Sequence, residues 1–241
     1  MSPPAAHPVV LLHGAFLSGA SFTDLIRALG PGMTVTAPDL PGHGLAPDPP
    51  AWTVAAMADV IARDLQRPAH VCGHSLGGMV ALQLAVSHPQ LVASLTLMES
   101  SAGTNDTCLN RVGTRVSTAL IRTLPTGTLA RLFGLDLAGG DRALRRDVER
   151  AVRAFTGRRA ARRGIWEATS TFEAWSRLDE VRVPALVLTG ALNPRTAAQA
   201  RRLQAGLPEA RSVVVPGGGH LVPQQQPVRV AQTLQAFWDG S

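Results

Sequence analysis

Val71-Cys72-Gly73-His74-Ser75-Leu76-Gly77-Gly78-Met79 is a short apolar strand that turns through a serine flanked by glycines and runs into an apolar helix, Met79 to Val86. A Gly-x-Ser-x-Gly turn between strand and helix needs both glycines, because a Cβ at either position would collide with the neighbouring strand or helix in so sharp a bend. The bend lifts the Ser75 hydroxyl above the sheet. It also aims the first backbone N–H groups of the helix at whatever that hydroxyl attacks. Ser75 is therefore the candidate nucleophile.

Working outward, Val9-Val10-Leu11-Leu12 and Ala185-Leu186-Val187-Leu188-Thr189 are continuous apolar runs, the mark of strands buried on both faces of a parallel sheet. Met33 to Ala37, Ala69 to Cys72, Ser94 to Met98 and Ser212 to Val215 read as further strands. Helical patterns lie between them: about Ser21 to Leu29, Thr53 (as cap) to about Gln66, Ala197 to Ala205, and a last helix through Val228, Val230, Leu234 and Phe237. From about Cys108 to Leu178 no strand-like run occurs. Leu144, Val148, Ala151, Val152 and Phe155 repeat there at helical spacing behind Asp141, and Ile165, Trp166, Thr169, Phe172 and Trp175 suggest another helix. This alternation predicts an α/β fold: a doubly wound, mostly parallel sheet of about six strands with an inserted helical cap. The core would comprise residues 1–102 and 179–241, and the cap residues 103–178.

The 241 residues include 23 basic and 17 acidic ones, for a formal charge of +6. Every basic residue is arginine, and the excess is local: residues 103–178 hold 14 arginines and 7 acids, against 9 and 10 elsewhere. No aromatic platform or recognised motif accompanies that charge, so nucleic-acid binding is not expected. The first residues have no basic leader, and the run Val9–Leu12 stops at His13-Gly14, so neither a signal peptide nor a membrane span is expected. A cytoplasmic protein, monomeric or homodimeric, is the expectation, with Cys72 and Cys108 as separate thiols.

A serine hydroxyl needs a base. Of the seven histidines, His220 is the candidate, because the loop Pro216-Gly217-Gly218-Gly219-His220 lets the backbone bring the ring back over Ser75. His74 fills the variable position of the turn, pointing away from the nucleophile. With His13-Gly14, Asp39-Leu40-Pro41-Gly42-His43-Gly44, Gly73-His74-Ser75-Leu76-Gly77-Gly78 and Gly218-Gly219-His220 in this order, the chain resembles the α/β-hydrolase family along essentially its whole length.

The resemblance implies oxyanion donors at the backbone N–H groups of Leu76 and Ala15, with Phe16 the nearby alternative to Ala15. It implies a turn-bracing role for Asp39 and structural roles for His13 and His43. It also implies an aspartate in the loop after Thr189, but that loop reads Gly190-Ala191-Leu192-Asn193-Pro194. An amide at 193 can hold an imidazole but cannot stabilise an imidazolium. Some members of the family draw their acid from the end of the preceding strand, which here is Glu99. Glu99 as the acid, Asn193 as a neutral partner, or neither, are the readings open at this point. Phe16, Trp166 and Trp175 are candidates to line an apolar substrate pocket, or else they glue the cap to the core. The cap arginines would recognise an anionic substrate tail or an acidic carrier protein, or else form a solvated face.

The expected function is a serine hydrolase cleaving a small ester, lactone or thioester through an acyl-serine, on a small-molecule substrate that is anionic or carried as a thioester. No cofactor or metal is implied. A lyase or cyclase that uses Ser75 and His220 for proton transfer, and a degenerate small-molecule-binding protein, are the alternatives.

Overall fold

A computed structural model describes residues 7–105 and 108–240. In chain order the elements are β1 (Val9–Leu12), α1 (Thr23–Leu29), β2 (Val35–Thr36), α2 (Val54–Asp64), β3 (Ala69–His74), α3 (Leu76–Ser87) and β4 (Val92–Met98). Four helices follow, α4 (Cys108–Thr123), α5 (Thr126–Leu137), α6 (Arg142–Arg153) and α7 (Arg159–Thr171). The chain closes with β5 (Ala185–Gly190), α8 (Ala197–Gly206), β6 (Ala210–Val215), α9 (Val222–Gln225) and α10 (Pro227–Trp238).

The six strands form one parallel sheet in the order β2-β1-β3-β4-β5-β6. The chain steps from β1 outward to β2, then returns to the other side of β1 with β3. This reversal makes the carboxyl ends of β1 and β3 the crevice in which open α/β sheets bind ligands. Both edge strands differ from their expected extents. Only Val35 and Thr36 of the Met33–Ala37 run pair with β1, whereas β6 begins two residues earlier than expected, at Ala210.

Each strand sends alternate residues to opposite faces. Val10, Leu12, Val71 and Leu97 join α2, α3 and the inserted helices in one buried cluster. Val9, Leu11, Cys72, Leu186 and Leu188 pack under α1 and α10 in another. Burial on both faces explains the unbroken apolar runs of β1 and β5. It also pushes the Cys72 thiol up to about 12, so that it stays protonated and inert.

The helices start where the side chains dictate. Thr53 caps α2 by accepting from the Ala56 N–H at 3.1 Å, and Asp141 caps α6 by accepting from Ala143 and Leu144 at 2.8 and 3.0 Å. Leu124-Pro125 separates α4 from α5. The corner is held by Arg162, a buried residue of α7 whose guanidinium donates to the Leu124 carbonyl at 3.3 Å and the Thr126 hydroxyl at 2.9 Å. A cation beside the carboxyl end of α4 opposes the helix dipole. Arg162 is thus part of the packing and not of a solvated face, and burial lowers its pKa, with Arg159 and Arg163 adding to the effect. The helix through Ile165 stops at Thr171, because Phe172 turns extended (φ −62°, ψ 134°). Trp175 accordingly lies in a separate 3-10 turn, Trp175–Glu180.

Candidate active site

Among the described residues only three other than glycine have positive φ: Phe16 at 63°, Ser75 at 53° and Glu99 at 48°. They follow β1, β3 and β4, three adjacent strands, at the carboxyl edge of the sheet. Such backbone costs about 1–3 kcal/mol per residue and persists where surrounding structure over-determines it, most often at functional sites.

Ser75 is held from several sides. Its N–H donates to the Met98 carbonyl at 3.0 Å, and its carbonyl accepts from the N–H groups of Gly78 and Met79. That carbonyl also accepts the Ser100 hydroxyl at 2.7 Å. The flanking glycines are needed as expected: a Cβ on Gly73 would fall on the Gly77 carbonyl, and one on Gly77 on the carbonyl of Leu12. Helix α3 begins at Leu76, directly after the serine, so its first N–H groups face the edge on which Ser75 sits.

Glu99 follows the last residue of β4, and its side chain is fully buried. Pairing of Met98 with Leu188 sets it beside the end of β5. There Oε1 accepts from the Gly190 N–H at 2.5 Å, while Oε2 accepts from Asn193 Nδ2 at 2.6 Å and from the Thr196 hydroxyl at 2.9 Å. These fixed donors occupy both oxygens of the carboxylate. Oε2 lies 3.5 Å from His220 Nδ1. That is long for a hydrogen bond but close enough for electrostatic contact between the two groups. The His220 side chain is a quarter exposed.

An ionised carboxylate only accepts, so Asn193 must present its nitrogen to Glu99. The same nitrogen is 3.5 Å from His220 Nδ1, where it cannot accept the ring proton. Of the two groups set against Nδ1, only Glu99 can do so.

Two structural histidines behave as the sequence suggests. His13 Nδ1–H donates to the Gly14 carbonyl and its Nε2 accepts from the Leu40 N–H, both at 2.9 Å. His43 donates to the Pro41 carbonyl at 3.2 Å. Asp39 braces the turn, accepting from the N–H groups of Gly19 and Leu45. His74, which the sequence suggested only fills the turn, has a specific partner. Its Nε2–H donates to the His220 backbone carbonyl at 2.7 Å, tying the histidine loop to the serine turn. Burial, and then the His220 ring, lower its pKa to about 3, so it is a neutral donor.

Phe16 is buried in the same apolar cluster as Leu76 and Met79, with edge-to-face contacts to Phe133 of α5 and to Phe155 after α6. Ala15 precedes it on the loop after β1. Trp166 donates to the Thr118 hydroxyl at 2.8 Å, joining α7 to α4, and Trp175 lies under the Arg202 guanidinium, 3.9 Å from the ring centre. The structure thus brings Ser75, Glu99, Asn193, His220 and Phe16 to one edge, while Trp166 and Trp175 contact elements farther along the insertion and its seam. A cleft of about 470 Å³, lined by His220, Asn193, Leu137 and Gly139, opens between the end of α5 and the loop after β5. Arg195 and Asp136 pair at 3.0 Å on its wall.

Residues 9–233 match the family model described as alpha/beta hydrolase family. A pimeloyl-[acyl-carrier protein] methyl ester esterase of Aromatoleum aromaticum is 34% identical over 234 residues, covering 88% of this chain and 90% of that protein. The protein of the same name from Chromobacterium violaceum is 31% identical over 221 residues, covering 88% and 86%. A stronger but local similarity, 46% over 100 residues, links the chain to the Neisseria meningitidis protein of that name, of which it spans only 39%. In fold, the chain is similar to an esterase from Thermogutta terrifontis, with a TM-score of 0.83 at 24% identity over 98% of this chain and 90% of that one.

Proposed function

Because the chain belongs to the α/β-hydrolase family, we propose that it is a serine hydrolase of carboxylic esters working through an acyl-serine intermediate. The observation that carries this reading is the contact between Glu99 and His220. It supplies the acid that the loop after β5 lacks, and so removes the motive for a reaction without a full triad.

Ser75 Oγ attacks the ester carbonyl as His220 takes its proton, and Glu99 stabilises the resulting imidazolium. The N–H groups of Leu76 and Ala15 receive the oxyanion, each worth several kcal/mol in the transition state. His220 returns the proton to the leaving alcohol, and water repeats the sequence on the acyl-serine.

The relatives' names suggest the substrate: the methyl ester of a dicarboxylic acyl chain borne on an acyl carrier protein. The insertion exposes Arg115, Arg122, Arg131, Arg142, Arg146, Arg159 and Arg163, a surface suited to a carrier that is acidic. That surface supports docking of an acidic carrier by steering. No helix among the described residues is long and apolar enough to cross a membrane, and the exposed free thiol of Cys108 suits the reducing cytoplasm.

The test is methanol release from pimeloyl methyl ester on its carrier protein and phenol release from a neutral aryl ester, each at rising salt. We expect hydrolysis of both, with only the carrier-borne ester losing kcat/KM steeply as salt rises. Failure to hydrolyse any carboxylic ester would refute the reading.

A further inference from the structure

Glu99 and Asn193 are a matched pair. Glu99 Oε2, Asn193 Nδ2 and His220 Nδ1 form a triangle with sides of 2.6, 3.5 and 3.5 Å. The carboxylate is fully buried. An aspartate at 193 would turn an oxygen towards Glu99 at the position now held by the amide nitrogen, 2.6 Å from Oε2, and two carboxylates so close, one of them fully buried, cannot both ionise. A carboxylate is already present just past the end of β4, and the side chain at 193 donates to it.

We infer that Asn193 is a positioning residue that holds the Glu99 carboxylate toward His220, and that positions 99 and 193 can exchange acid and amide. This rests on the reading of Glu99 as the triad's acid. In the exchanged arrangement, E99Q/N193D, the amide at position 99 keeps its carbonyl oxygen on the Gly190 N–H and offers its nitrogen to the carboxylate at position 193, which then faces His220 Nδ1. The Thr196 hydroxyl also lies 3.2 Å from the Asn193 backbone carbonyl, so its proton has a second acceptor there. The exchange demands no new partner.

The experiment compares kcat and KM on a neutral aryl ester for the wild type, E99Q, N193A, N193D and E99Q/N193D, with circular dichroism and thermal melts to establish folding. E99Q should lose about two orders of magnitude in kcat. N193D should lose on the order of tenfold or more and fall below N193A, although it restores the family's usual aspartate. E99Q/N193D should recover at least about tenfold over E99Q, a rescue that a merely structural role for Asn193 does not give. A folded double variant no better than E99Q would overturn the exchange while leaving Glu99 as the acid. If the double variant does not fold, N193D matching or exceeding N193A would overturn it instead. Wild-type activity in E99Q would remove the underlying reading together with the inference.

Discussion

Lowering the pH from 7.5 to 5 should destabilise this protein through its buried histidines. His13, His43 and His74 are at most 1% exposed, and their pKa values are lowered to about 4, about 3 and about 3. Burial is the largest cause in each, with the His13 ring adding to it for His43 and the His220 ring for His74. Their bonding explains why a second proton is unwelcome. His13 Nε2 accepts from a backbone N–H, while His43 Nε2 and His74 Nδ1 are buried without partners.

Unfolded, each titrates near 6.5. The unfolded chain therefore binds more protons than the folded one between about pH 6.5 and 4, so the stability present above 6.5 is lost as pH falls through that window. At pH 5 each histidine contributes a loss of about 2 kcal/mol, or about 6 kcal/mol for the three, with a slope of about 1.4 kcal/mol per pH unit per group. Against a typical total of about 5–15 kcal/mol that is a large share. Urea unfolding followed by tryptophan fluorescence at pH 7.5, 6.5, 5.5 and 5.0 measures it. A midpoint unchanged between pH 7.5 and 5 would refute the reasoning.

Two substitutions probe the serine turn itself. His74→Phe keeps a flat ring but leaves the His220 carbonyl without its donor, and should cost about 1–3 kcal/mol of stability. It should also lower kcat more than it raises KM and reduce the acid-induced loss of stability by about 2 kcal/mol at pH 5; an unchanged kcat would show that the histidine loop is positioned by other contacts. Gly77→Ala drives a Cβ into the Leu12 carbonyl and should yield little folded protein in soluble expression, so a well-folded, active alanine variant would contradict the packing of α3 against β1.

What the sequence conveys and what it conceals divide along physical lines. Runs such as Val9–Leu12 and Ala185–Thr189 are legible because two-sided burial leaves no polar residue in them until the final threonine. Ser75 is legible because the turn imposes its glycines locally. Edge strands are less so: β6 carries exposed Arg211 and Val214, a pattern with no clean period. The absence of an aspartate at 193 is visible from the loop alone, yet the approach of Glu99 to Asn193 depends on β4 lying beside β5, which no local pattern encodes. The role of His74 is harder still to read, since its partner is a backbone carbonyl 146 residues away and any residue could have supplied that carbonyl. Trp175 repeats at helical spacing with Ile165 but falls beyond the end of α7, because the chain turns extended at Phe172.

The proposed relay from Glu99 through His220 to Ser75 is tested most directly by the rate at which a fluorophosphonate modifies the protein, with the adduct located by mass spectrometry. The wild type should carry it on Ser75, Ser75→Ala should carry none, and Glu99→Gln should acquire it about a hundredfold more slowly. No adduct on Ser75, or equal rates in the wild type and Glu99→Gln, would contradict the account.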